Sequence, residues 1–296
     1  MNNPDDTKGK FRIKFTGDLD EVELSEPDFI TVFKVVWFSI RGFFKERPGQ
    51  IIGSAFILIM LWGTHGELEL LRYIMPPWHG PGSDPATRPE LISFIPWDHE
   101  LISFWVGAIL LVIVPIILIK AGFNQSLKDY GLGLPPKGRR ALALWTFLVL
   151  TLVSLPAFWL GTTETGMRAT YPLFRGDFPT IMSFALYQLT YLPFFIAIEF
   201  IFRGYLLFGL AGVRDEEIKL AGGGFPGVFY FHRYAILIQM LSYTAWHLGK
   251  PVPELWGTLI WGLAAGATAY AVRSIWPVVF SHWLLNVFLD AVIWRS

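Results

Sequence analysis

Glu199 and Arg203 lie four residues apart, as do Tyr243 and His247, His282 and Asn286, and Asn286 and Asp290. Four residues make about one helical turn, so each pair shares a helix face. Two imidazoles, a carboxylate and an amide can together polarise a water molecule and hold a developing oxyanion. His247, His282 and Glu199 would equally suit a catalytic zinc that keeps one position open. No Gly-rich phosphate loop accompanies them. No Ser stands in a nucleophile elbow either, because Ser281 is too close in sequence to His282 to act as its triad partner. Taken singly, each residue also has a plainer reading. Glu199 and Arg203 form a structural ion pair, each histidine is a hydrogen-bonding partner in helix packing, and Asp290 is solvated near an outer helix end.

The elements that must position these residues are unusually apolar. Of 296 residues, 53% are hydrophobic and only 16% are charged, and the mean hydropathy is +0.45. Soluble domains carry about a quarter charged residues, so a soluble enzyme is excluded. Lys plus Arg and Asp plus Glu are both 24. That balance lacks the basic excess a nucleic-acid partner calls for, and none is expected. The absence of Cys removes disulfides, thiolate metal sites and a cysteine nucleophile.

A helix crosses a bilayer with about 20 apolar residues. Leu101–Ile119, Ala141–Leu160, Phe178–Leu210, Glu254–Val272 and Trp276–Trp294 meet that requirement, and Gln50–Thr64 and Ala235–Leu248 are shorter candidates. The expectation is an all-α, polytopic membrane helix bundle of about seven transmembrane helices. With the N-terminus in the cytoplasm, 17 of the 24 basic residues fall on the cytoplasmic side and six outside, with Arg203 inside a span. This is the asymmetry of the positive-inside rule, and it predicts a cytoplasmic Gly122–Arg140 loop and an outer C-terminus. The domain reading is a polar cytoplasmic tail over 1–28, an amphipathic interfacial helix over 29–48, and a membrane domain over 49–296. In the interfacial helix, Lys34, Arg41 and Lys45 share one face toward the lipid headgroups. The Pro- and Gly-rich stretch His65–Glu100 reads as an irregular outer loop anchored by Trp78 and Trp97.

A charge at the bilayer centre costs roughly 2.5 to 3.5 kcal/mol. The few polar residues inside the last spans are therefore the candidates for function. Counted along their helices, Glu199, Arg203, His247, His282 and Asn286 lie between roughly 9 and 18 Å from the cytoplasmic side. Helices of alternating direction thus bring them to one layer, which predicts a single buried polar site.

The order Glu199-x-x-x-Arg203-Gly204, then Tyr243-x-x-x-His247, then His282-x-x-x-Asn286 resembles the three motifs of the CPBP family. These are the CAAX-processing and bacteriocin-processing intramembrane proteases, also called the Abi family. Flanking Tyr130-Gly131-Leu132-Gly133-Leu134 and Ser274-Ile275-Trp276-Pro277 are similar too, and the motif core spans 179–290. The resemblance implies an intramembrane endopeptidase in a bacterial or archaeal cell membrane. It would cleave a membrane-associated peptide or protein near its terminus, with the lipid bilayer as its other partner. By the same resemblance, His247 would help a general base activate water. His282 and Asn286 would hold the oxyanion, and Arg203 would fix the motif helix through Glu199. Tyr243, a supporting residue, stands where the family has Phe.

The family label also implies a metalloprotease, with zinc held by Glu199, His247 and His282. One position departs from the pattern. The first motif begins with two adjacent glutamates, the first being the general base, and here that position is Ile198. Isoleucine cannot accept a proton. Either Glu199 takes over, or another carboxylate reaches in, or the protein is a catalytically inactive homologue that acts as a membrane binding or scaffold protein. Glu199, about 100° around the helix from residue 198, is expected to serve only if the helix rotates or Arg203 lets go.

Overall fold

The computed structural model describes residues 11–13, 22–24, 29–64, 104–174, 178–211 and 226–296. The His65–Glu100 stretch lies outside them. Its body is helical: α1 Phe29–Lys45, α2 Arg47–Thr64, α3 Phe104–Gly122, α4 Arg140–Gly161, α5 Thr165–Thr170, α6 Ile181–Ala211, α7 Pro226–Trp246, α8 Val252–Val272 and α9 Trp276–Arg295. In the N-terminal tail, Phe11–Ile13 pairs antiparallel with Val22–Leu24, with Arg12 opposite Glu23. The composition of the tail had not suggested that pairing.

Five segments are long and apolar enough to cross a membrane: Phe104–Gly122, Lys137–Gly161, Ile181–Ala211, Val252–Val272 and Trp276–Arg295. They coincide with the five longer expected spans to within a few residues. Of the two shorter candidates, Gln50–Thr64 falls inside α2 and Ala235–Leu248 runs two residues past the end of α7, and neither helix is in that group among the described residues. The polar first turn of α2, Arg47 to Gln50, dilutes its apolar run. The protein is an integral membrane protein, and its outward faces suit lipid. Leu144, Trp145, Leu152 and Val153 of α4 are all exposed. Along α1, Val32, Phe33, Val36, Trp37, Ile40, Phe43 and Phe44 form an exposed apolar stripe at helical spacing. A one-residue break at Glu46 separates α1 from α2. Pro48 there has no N–H to continue the ladder, and the Phe44 carbonyl instead accepts from Gln50 Nε2 at 2.9 Å.

Helix α6 is the central element. In its most apolar stretch 94% of residues are buried, against 11% in α4. It starts at a capping box, Thr180 accepting from the Ser183 N–H while Ser183 accepts from that of Thr180. From Phe200 to Leu206 it widens into π-helical turns, a form often found at functional sites. Gly204 is required there, because a Cβ would run into the Phe200 ring and lie 3.1 Å from the Tyr130 carbonyl oxygen. Phe200, Phe202, Tyr205 and Leu207 join Ile51 and Ala55 of α2, Ala265 and Ala269 of α8, and Val278 and Leu285 of α9 in one core. The two flanking motifs meet. Ile275 N–H donates to the Gly131 carbonyl at 3.0 Å, Ser274 Oγ to that of Gly133 at 2.8 Å and Trp276 Nε1 to that of Leu132 at 3.0 Å. This ties the start of α9, and with it His282, to the turn beside α6.

Candidate active site

Four helices supply the site. At the edge of the π segment, Glu199 is fully buried and both of its oxygens are engaged. Oε1 lies 2.7 Å from His282 Nδ1 on α9, and Oε2 lies 3.3 Å from Arg203 Nε. Glu199 therefore holds His282 and Arg203 at the same time, one through each oxygen. A carboxylate beside a guanidinium is an acceptor, so His282 donates from Nδ1 and keeps Nε2 for other chemistry. The His282 ring is edged by Phe195 at 4.9 Å and by Trp261 of α8 at 5.1 Å.

Tyr243 joins this pair to the second histidine. The Arg203 guanidinium sits 3.9 Å from the centre of the Tyr243 ring, within cation–π range. Just past the end of α7, the His247 ring lies 4.4 Å from the Tyr243 ring. His247 Nδ1 is 2.8 Å from the Tyr243 carbonyl oxygen, which can only accept, so Nδ1 carries the proton and Nε2 is the free nitrogen. The tyrosine in the Phe position of the family pattern thus supplies a ring to both Arg203 and His247.

Two further sets of contacts were not expected from the sequence. Glu254, in the first turn of α8, places Oε1 3.8 Å from His247 Nε2 and accepts from the Tyr171 hydroxyl at 2.8 Å. Tyr171 follows α5, outside the spans. Burial first, and the Glu254 carboxyl second, push its hydroxyl pKa well above the ordinary value. The only signal for Glu254 was a carboxylate seven residues after His247, across a Pro-flanked turn, and Tyr171 had none. The second group corrects the reading of Asp290. It is fully buried rather than solvated, and its Oδ2 accepts from Gln188 Nε2 at 2.7 Å and Asn286 Nδ2 at 3.0 Å. Helix α9 turns Asp290 inward against α6, so its depth near a helix end did not predict exposure. Gln188 precedes Glu199 by eleven residues, about three helical turns, and that spacing on one face was the available signal.

The polar groups are offset in depth along the helices. Trp261, beside His282, follows Glu254 on α8 by seven residues, about 10 Å along the helix. Glu199, Arg203, Tyr243, His247 and His282 come together, whereas the contacts of Asn286 are those of the Asp290 group. Ser281 is buried against Thr151, whose hydroxyl donates to it at 2.8 Å, and does not enter the site. Ile198 is 1% exposed and belongs to the hydrophobic core.

A metal fits this arrangement poorly. Glu199 and His282 spend their facing atoms on each other, and His247 pairs with a different carboxylate. Among the described residues no three His, Asp or Glu side chains form a group able to hold a metal ion. What remains is two His–carboxylate pairs on either side of Tyr243, a layout that can move protons and face a polarised carbonyl.

Compared with known protein families, residues 180–288 match the model described as Type II CAAX prenyl endopeptidase Rce1-like. Comparison with curated proteins and with solved structures gave no match.

Proposed function

We propose, from the premise that residues 180–288 form a domain of the CAAX-protease (CPBP) family, that this protein is an intramembrane endopeptidase. Its substrate is a membrane-associated peptide or protein, cut near a terminus, and a prenylated CAAX peptide is the first candidate because of the matched family's description. The observation that carries the reading is the 2.7 Å contact between Glu199 and His282. It orients a partly buried imidazole inside the matched domain. With Nδ1 committed to Glu199, His282 turns Nε2 toward the substrate. A proton there makes it a donor to the carbonyl oxygen as negative charge develops. His247, with Nδ1 committed to the Tyr243 carbonyl, offers Nε2 to the attacking water. Asn286 keeps one amide hydrogen beyond its bond to Asp290 and adds a second donor. The N-terminus and the 122–140 loop face the cytoplasm.

The test is cleavage by the purified protein in liposomes. The probes are a quenched-fluorescent farnesylated CAAX peptide and a combinatorial peptide library. Glu199→Gln and His282→Ala should each lower kcat by about 10²-fold or more. Full activity in both variants would overturn the assignment. A second reading is favoured by one observation: Ile198, where the family places its first glutamate, lies in the apolar core. On that reading the protein binds a membrane partner or peptide without cutting it, and the wild type would leave both probes intact.

A further inference from the structure

We infer that Glu254 is the carboxylate that activates water in this site, standing in from α8 for the glutamate missing at position 198. The inference rests on the endopeptidase reading above. Its starting point is that Glu199 is already used. Accepting a proton would cost Glu199 its bond from His282 at 2.7 Å and its ion pair with Arg203 at 3.3 Å. Asp290 accepts from Gln188 and Asn286 through Oδ2 and, among the described residues, lies within 4 Å of neither motif histidine. Among the described residues, Glu254 is the other carboxylate within 4 Å of a motif histidine.

The local structure brings it there. After α7 the chain reverses through Gly249, whose φ of +92° is costly for any residue with a Cβ. Lys250 N–H closes the turn on the His247 carbonyl at 3.0 Å. Pro251 precedes α8 and Pro253 lies in its first turn, so Glu254 is delivered rigidly beside His247. The two ends of the contact are fixed from behind. His247 is held by the Tyr243 carbonyl, and Glu254 Oε1 by the Tyr171 hydroxyl. Glu254 Oε2 is buried and has no hydrogen-bond partner among the described residues.

The 3.8 Å between His247 Nε2 and Glu254 Oε1 is too long for a direct hydrogen bond and short enough for one water to touch both atoms. The proton balance is closed. Water gives a proton to the Glu254 carboxylate while its oxygen bonds to the scissile carbonyl carbon. The carbonyl π pair moves onto the carbonyl oxygen. On collapse the C–N bond breaks, and the proton on Glu254 passes to the leaving amine. His247 Nε2 accepts the water's second hydrogen bond and orients it. Tyr171 is a positioning residue that holds Glu254 Oε1.

The experiment is steady-state cleavage of the farnesylated CAAX peptide and of the peptide library in liposomes by wild type, Glu254→Gln, Glu254→Asp and Tyr171→Phe. Glutamine still accepts from Tyr171 but cannot take a proton. Glu254→Gln is therefore expected to lose about 10²- to 10⁴-fold in kcat, with KM and thermal midpoint unchanged. Glu254→Asp should keep part of the rate, and Tyr171→Phe should lose about 10-fold in kcat. If wild type cleaves and both Glu254 variants cleave within a few-fold of it, the role of Glu254 is wrong while the protease reading stands. If wild type cleaves neither probe, the protease reading itself fails and takes this inference with it.

Discussion

Glu199 bonds His282 through one carboxylate oxygen and pairs with Arg203 through the other, so a single buried side chain ties the motif of α6 to the motif of α9. Removing one partner of a buried ion pair leaves an uncompensated charge, at a cost of about 3–5 kcal/mol. Arg203→Ala should therefore lower the thermal midpoint of the detergent-solubilised protein markedly. It should also weaken cleavage, because Glu199 and the Tyr243 ring both lose the guanidinium. A midpoint within a degree of wild type would show that the pair is not built this way.

The Asp290 group predicts a milder structural defect. Asp290→Ala strands the amides of Gln188 and Asn286 in the interior, worth about 1–3 kcal/mol. Asp290→Asn should recover part of that loss. Cleavage should fall in Asp290→Ala through a loosened Asn286, and an unaltered rate and midpoint would return Asp290 to a bystander role.

Gly204 and Gly257 form a matched pair. At Gly204 a Cβ meets the Phe200 ring and the Tyr130 carbonyl, whereas at Gly257 nothing lies within 4 Å. Gly204→Ala should destabilise by about 1–3 kcal/mol through overpacking at the π segment. Gly257→Ala, in a helix interior, should be neutral or stabilise by about 0.5–1 kcal/mol. Thermal unfolding of the two variants side by side checks both, and equal shifts would contradict the packing described for α6.

The separate engagement of Glu199 and His247 predicts how the protein behaves toward metals. Elemental analysis of the purified protein should find zinc well below one atom per chain, and cleavage should persist in a strong chelator. Stoichiometric zinc lost together in His247→Ala and His282→Ala would establish a metal site.

Orientation has its own readout. A reporter fused near Arg139 should be found on the cytoplasmic side and one at the C-terminus on the outer side. Arg139 found outside would invert the whole arrangement.

That the five longest apolar segments form helices suited to a membrane followed from the sequence alone. An uncharged run such as Leu101–Ile119 has few other stable homes, and helix periodicity places residues four apart on one face. The motif residues were legible for the same reason: a Glu, two His and an Asn stand out where most polar side chains are too costly to keep. Partnership was not legible, because contacts between helices depend on rotation, tilt and depth, which no local pattern records. Only the tertiary structure decided that Glu199 serves His282 and Arg203 at once, through a helix that widens into π turns at Phe200. Only it turned Asp290 inward onto Gln188, buried Ile198 in the core and set Glu254 beside His247. Local propensity determines a helix, whereas the neighbours of a buried charge are settled by how the helices pack, since each such charge must find its partners there.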